Sequence, residues 1–148
     1  MSRRTGTETD KFMMVYATNK PEQFDGAVTD RVDEMVEFTL PGLKERRSMI
    51  KMYIDKYLVN PAGQWSKKVT MVDIDDAAVE SAVAKTDGWS GREISKLAIA
   101  WQSAAYGTEG ATIDAKTFQE TVDRQAKSNA TKQVWLDQAL AEKMARDK

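Results

Sequence analysis

The sequence predicts an α/β arrangement, two strands of a parallel sheet followed by a helical bundle, and three observations carry the prediction. The first is the run Phe12-Met13-Met14-Val15-Tyr16-Ala17, apolar almost throughout and broken off at Thr18-Asn19-Lys20-Pro21. An uninterrupted apolar run bounded by a turn signal fits a strand covered on both faces. The second is a similar run, Met35 to Leu40, closed by Pro41-Gly42. The third is a change of period: from Leu43 onward apolar residues recur every three or four positions, the spacing of amphipathic helices.

Taken in order, Pro21 ends the first strand and biases Lys20 towards an extended conformation. Asn19 then sits at a strand's carboxyl end, the edge that faces the ligand crevice in open α/β sheets. Pro21 to Asp25 reads as a turn or a single helical turn, and Ala27 to Asp30 as another. Leu43 to Leu58 is the first long helix, with Leu43, Met49, Ile50, Tyr53, Ile54, Tyr57 and Leu58 on its apolar stripe. Lys44, Arg46, Arg47, Lys51 and Lys56 form a basic face, read as solvated surface in preference to a phosphate or acidic-lipid contact. Asn60-Pro61-Ala62-Gly63 ends the helix, and Gln64 to Val72 reads as a linker holding Trp65. Asp73 or Asp75 caps a short helix to about Lys85, with Ala78, Val79, Ala82 and Val83 inward. After the turn Thr86-Asp87-Gly88-Trp89, Ser90 caps a further helix and Glu93 completes a capping box. Its stripe is Ile94, Leu97, Ala98, Trp101, Ala104 and Ala105, and Gly107 and Gly110 end it. From Asp114 a last helical tract packs Phe118 and Val122 first. It then presents Trp135, Leu136, Ala139, Leu140 and Met144, either to a partner or to its own domain.

Composition narrows the chemistry. A chain of 148 residues, 41% apolar and 30% charged, is enough for one core. A net charge of −1, from 22 basic and 23 acidic residues, makes no case for a nucleic-acid partner. With no Cys and no His, disulfides, thiolate metal sites and the commonest general base are excluded. No apolar run reaches the ~18 residues of a membrane span. The polar start, Met1 to Asp10, lacks the apolar centre of a secretory signal and reads as a frayed or cut segment. No Gly-x-x-x-x-Gly-Lys-Ser/Thr pattern occurs, nor any Gly-Lys pair, so the backbone cradle and Lys that grip ATP phosphates are missing. Met71 to Asp76 imitates a magnesium-holding strand end, but its acidic residues lead into a helix.

The motifs in order resemble the second half of an AAA ATPase module. They are Ala17-Thr18-Asn19, then Phe24-Asp25-x-Ala27-Val28 and Arg31-x-Asp33, then Gly88-Trp89-Ser90-Gly91-Arg92-Glu93. The resemblance covers about two thirds of the chain. It is strongest to a mitochondrial inner-membrane branch, through Asp30-Arg31-Val32-Asp33-Glu34-Met35-Val36, Met52-Tyr53-x-Asp55-Lys56-Tyr57 and Ser90-Gly91-Arg92-Glu93-Ile94. It implies an α/β fragment, two strands of a parallel P-loop NTPase sheet, followed by an α-helical lid. The implied domains are a cut or disordered segment 1–11, the end of the nucleotide-binding subdomain 12–42, the lid 43–112 and a helical tail 113–148. It also implies that the phosphate-loop strand belongs between the two strands expected here. Left apart, those strands would carry unsatisfied amides, making the isolated chain marginal or molten, which a steep two-state urea melt would contradict.

Site residues follow from the same resemblance. Asn19 matches the first sensor, which orients water at a γ-phosphate; otherwise it closes an Asx-turn. Arg31 matches an arginine finger acting in trans; otherwise it pairs with Asp30, Asp33 or Glu34. The family commonly carries two arginines here, and Asp30 replaces the first. Gly91 is implied to lie near ribose and adenine, and Arg92 to reach a phosphate from the lid, the alternative being an ion pair with Asp87 or Glu93. A cation in a helix's first turn opposes the helix dipole, which favours a use for it. ATP and Mg2+ are thus implied cofactors of the complete module, with neither bound tightly by this chain alone. A homo-oligomeric ring in mitochondria is implied for the parent. The alternative is a non-catalytic helical module that binds full-length subunits.

Overall fold

The computed structural model describes residues 13–20, 25–63 and 67–146, without the side chains of Val28 and Leu140. The predicted segment 1–11, Phe12, the turn residues Pro21 to Phe24, and Trp65 lie outside the described residues. The chain divides into two units, Met1–Phe38 and Thr39–Lys148.

In the first unit Asp25 opens α1, Gly26–Thr29, its Oδ1 accepting from the Ala27 N–H at 3.3 Å. Residues 13–17 and 35–38, and residues 39–40 beyond the boundary, belong to no ladder, so the two predicted strands are not strands. Their apolar side chains face solvent, from Tyr16 at 55% to Phe38 at 92% exposed. The physical reason is pairing. Apolar sequence specifies that a segment wants covering, but a strand exists only where a neighbouring strand pairs with it along a ladder, and no ladder forms at these positions among the described residues.

The second unit is the α-helical lid, and it holds the two-stranded parallel sheet that the predicted class called for, built from other residues. α2 spans Leu43–Ile54 and continues as a π-helical turn, Asp55–Val59, closed by Asn60 N–H to the Asp55 carbonyl at 2.7 Å. The wider turn keeps Leu58 fully buried, while the Tyr57 carbonyl accepts from Gln102 Nε2 at 2.6 Å. β1, Thr70–Val72, falls within the predicted linker and pairs in parallel with β2, Thr112–Asp114, in the register Thr70–Thr112, Met71–Ile113 and Val72–Asp114. Val69 hands the chain into β1 by donating to the Leu58 carbonyl at 2.8 Å.

α3 spans Asp76–Lys85 and is capped by Asp75, whose Oδ1 accepts from Ala78 N–H at 2.9 Å. Asp73 instead takes a left-handed turn, φ 54°, at the end of β1. Reading Asp73 to Asp76 as a helix entry therefore holds. α4 spans Gly91–Tyr106 and α5 spans Ala115–Arg146. Asp114 begins α5 by accepting from Thr117 N–H at 2.8 Å.

The core joins Ile50, Ile54 and Leu58 of α2 to Val79, Ala82 and Val83 of α3, Ile94, Leu97 and Trp101 of α4, and Phe118 and Val122 of α5. Trp101 stacks on Phe118 with ring centroids 4.1 Å apart and donates from Nε1 to the Phe118 carbonyl at 3.0 Å, so the indole polar atom is satisfied within an apolar core. Only the first half of α5 takes part. Residues 130–139 and 141–146 are exposed, Trp135 at 65% and Leu136 at 63%, so this stretch does not dock on its own domain.

Candidate functional site

The turn between α3 and α4 is built residue by residue from its sequence. Thr86 is buried and spends its hydroxyl on the Val83 carbonyl at 2.9 Å, ending α3. Gly88 supplies the left-handed backbone, φ +72°, that an L side chain rarely adopts. Trp89 is buried and donates its N–H to the Thr86 carbonyl at 3.1 Å. Ser90 and Glu93 then form the predicted capping box: Glu93 Oε2 accepts from Ser90 N–H at 2.7 Å, and Ser90 Oγ accepts from Glu93 N–H at 3.4 Å. The N–H groups of Gly91 and Arg92 take no partner among the described residues, as expected of a helix's first turn.

Arg92 is exposed at the second position of α4. Both carboxylates weighed as its partners are engaged elsewhere: Glu93 by Ser90, and Asp87 by Arg46 at 2.9 Å. Arg92 has no ion pair among the described residues, and the dipole argument for an incoming anion stands at this position. Gly91 faces Met49, whose Cε lies 3.6 Å from where a Cβ would sit, an ordinary contact.

The other two predicted site residues lie in the first unit. Asn19 is exposed at a bend. The turn there is closed by Thr18, whose Oγ1 accepts from Lys20 N–H at 2.9 Å, and the Asn19 amide is uncommitted among the described residues. Arg31 is exposed after α1 and pairs with none of Asp30, Asp33 and Glu34.

The basic face of α2 and its π-helical turn is solvated at Lys44, Lys51 and Lys56, as the sequence suggested, but not at Arg46, which is buried, nor fully at Arg47. Arg47 pairs with Glu80 at 2.5 Å and Lys51 with Asp76 at 3.0 Å, tying α2 to α3. The Glu80 hydrogen bond and charge hold the Arg47 guanidinium above its usual range. Arg46 is 5% exposed, donates from Nη1 to the Pro41 carbonyl at 3.1 Å, and leaves its buried Nε without a partner. Sequence reasoning missed it, although a signal was present: Arg46 stands four residues before Ile50 and eight before Ile54, on the buried stripe.

A helical lid whose last core helix but one opens on Gly-Trp-Ser-Gly-Arg-Glu, with Ala-Thr-Asn upstream, corresponds to part of an AAA-family protein. The relatives are particular. The chain is 42% identical over 134 residues to ATPase family AAA domain-containing protein 3-A of Xenopus laevis, covering 90% of this chain and 23% of that one. It is 43% identical over 141 residues to ATPase family AAA domain-containing protein 3A homolog of Drosophila melanogaster, covering 94% and 23%. It is 41% identical over 134 residues to ATPase family AAA domain-containing protein 3A of Homo sapiens, covering 90% and 23%. The chain thus spans about a quarter of the length of the curated relatives it matches. No family model matches, and no solved structure does.

Proposed function

We propose that the chain supplies the nucleotide-sensing and lid portion of an AAA ATPase. Arg92 carries the reading: it is exposed at a helix N-terminus, and the two carboxylates near it in sequence are occupied by other groups. A guanidinium so placed suits a phosphate oxygen, to which it can donate two parallel hydrogen bonds. Gly91 presents bare backbone beside it for the sugar or base. Asn19, with its side-chain amide uncommitted, orients the attacking water. Arg31, exposed and without an ion pair among the described residues, neutralises charge developing on a transferred phosphoryl group in a neighbouring subunit.

ATP itself is gripped by a phosphate loop that this sequence does not contain. No group of three acidic side chains gathers as a metal site among the described residues, so no residue here is assigned to Mg2+. What the chain's residues do is sense, orient and neutralise, within a ring-forming parent that acts in mitochondria.

The test is reconstitution. The 148-residue chain is mixed with a polypeptide carrying the part of the Drosophila relative that lies outside the matched stretch, and MgATP turnover is followed. Turnover that appears only on mixing, and is lost with Asn19→Ala or Arg92→Ala, is expected. Turnover indifferent to both substitutions would remove the proposal.

A second reading, a non-catalytic module that binds full-length subunits, draws on the exposed Val134, Trp135 and Leu136 of α5. It predicts that the chain inhibits a full-length relative without restoring activity to any half. An in-frame Gly-x-x-x-x-Gly-Lys-Thr upstream of Met1 in the transcript would favour the catalytic reading instead.

A further inference from the structure

We infer that Arg46 is a positioning residue for Arg92, a latch that fixes the lid's entry and its nucleotide-facing turn as one body. The inference deepens the reading above and rests on it for the role of Arg92. Arg46 is buried in the first turn of α2, and its guanidinium reaches two places far apart in sequence. Nη1 donates to the Pro41 carbonyl at 3.1 Å, in the Pro41-Gly42 segment through which the chain enters the lid. Nη2 meets Asp87 Oδ1 at 2.9 Å, five residues before Arg92.

The arrangement is asymmetric: the Arg46 side chain is 6% exposed, whereas that of Asp87 is 85% exposed. Asp87 could therefore satisfy itself with water, so the pair is not needed to solvate the carboxylate. Its position is better explained by what it does for the turn. It anchors Asp87-Gly88 to α2 and occupies a carboxylate five residues before Arg92 in sequence. The rigid fork of Arg spans both partners at once, which a single point charge on a flexible stem does less well. The unpartnered Nε shows that the guanidinium is not placed to maximise its own hydrogen bonds. Pro41 removes one backbone donor at the entry, and Gly42 caps α2 with no side chain of its own, so little besides Arg46 restrains this segment.

Backbone 15N relaxation on the 148-residue chain, without nucleotide, tests this. Two variants are used, Arg46→Met, which keeps bulk and loses both bonds, and Asp87→Ala, which trims an exposed side chain and leaves the core untouched. Wild-type order parameters near ~0.85 are expected at the amides of residues 39–43, Pro41 excepted, and of 87–91. Arg46→Met lowers both segments below about 0.6 while Phe118 to Val122 stay rigid. Asp87→Ala lowers residues 87–91 and also 39–43, because the two segments are joined through the Arg46 guanidinium. Residues 39–43 keeping their wild-type values in Asp87→Ala would overturn the latch, as would a uniform loss of order in both variants. Because no nucleotide is present, that result counts against Arg46 alone, whereas failure of the reconstitution counts against the nucleotide reading.

Discussion

Arg92 illustrates how little of its surroundings a candidate site residue needs for stability. It makes no ion pair among the described residues and opposes the dipole of α4. Arg92→Ala should therefore leave the stability of the chain within ~0.5 kcal/mol of wild type, or raise it slightly, in urea denaturation. In the reconstituted ATPase Arg31→Ala should lower turnover by about a thousandfold, the usual scale for an arginine finger. Gly91→Ala is a sharper probe. Its new methyl meets Met49 at ordinary van der Waals distance, so any loss of nucleotide response belongs to the ligand side and not to folding.

Asp114 carries a pH effect. Hydrogen bonds from the Thr117 side chain and backbone hold its carboxyl below the ordinary value of 3.8. A group whose pKa is depressed on folding contributes stability above its unfolded value and loses it as pH falls through the folded one. Denaturation free energies measured from pH 6 downward should accordingly decline below pH ~4, less steeply in Asp114→Asn, which keeps an acceptor for Thr117 N–H but has no charge to lose. Equal slopes would assign the acid sensitivity to other carboxylates. At this scale the sequence spoke through exact motifs: the Ser90–Glu93 box stands as read. Its signal for Arg46 was overlooked, because a charged side chain on an apolar stripe was assigned by its charge and not by its register.

Among the elements, helices were legible and strands were not. α3, α4 and the start of α5 declare themselves by caps and by a 3.6-residue period that the fold then buries, as Ile94, Leu97 and Trp101 demonstrate. β1 and β2 are three residues each, too short for a period to register, and they lie in stretches that otherwise read as turns. The apolar runs at 13–17 and 35–40 failed in the opposite sense: they were strand-like in sequence but have no ladder. Two measurements separate the elements that hold the lid from those that do not. Phe118→Ala removes the ring stacked on Trp101 and should cost ~3–5 kcal/mol. Ending the chain after Ala130 removes only exposed α5 and should change stability by less than ~0.5 kcal/mol, while reducing self-association through Trp135 and Leu136. A large loss of stability on that truncation would mean that the distal helix packs in solution.

For the molecule as a whole, the two units differ in what supports them. The lid has a continuous core running from Ile50 to Val122. The first unit exposes Met13, Val15, Met35 and Phe38 and pairs no strand among its described residues. The aggregation liability expected of the whole chain thus has two sources, the first unit and the exposed Trp135 and Leu136 of distal α5. Residues 39–130 alone should unfold in urea with one cooperative transition and show little affinity for a hydrophobic dye, whereas the full chain binds the dye strongly.

The central claim is that this polypeptide carries the groups that sense a nucleotide but not the loop that grips its phosphates. Titration calorimetry of MgATP into the isolated 148-residue chain tests it most directly. No saturable heat is predicted at millimolar nucleotide; a micromolar dissociation constant would contradict the account.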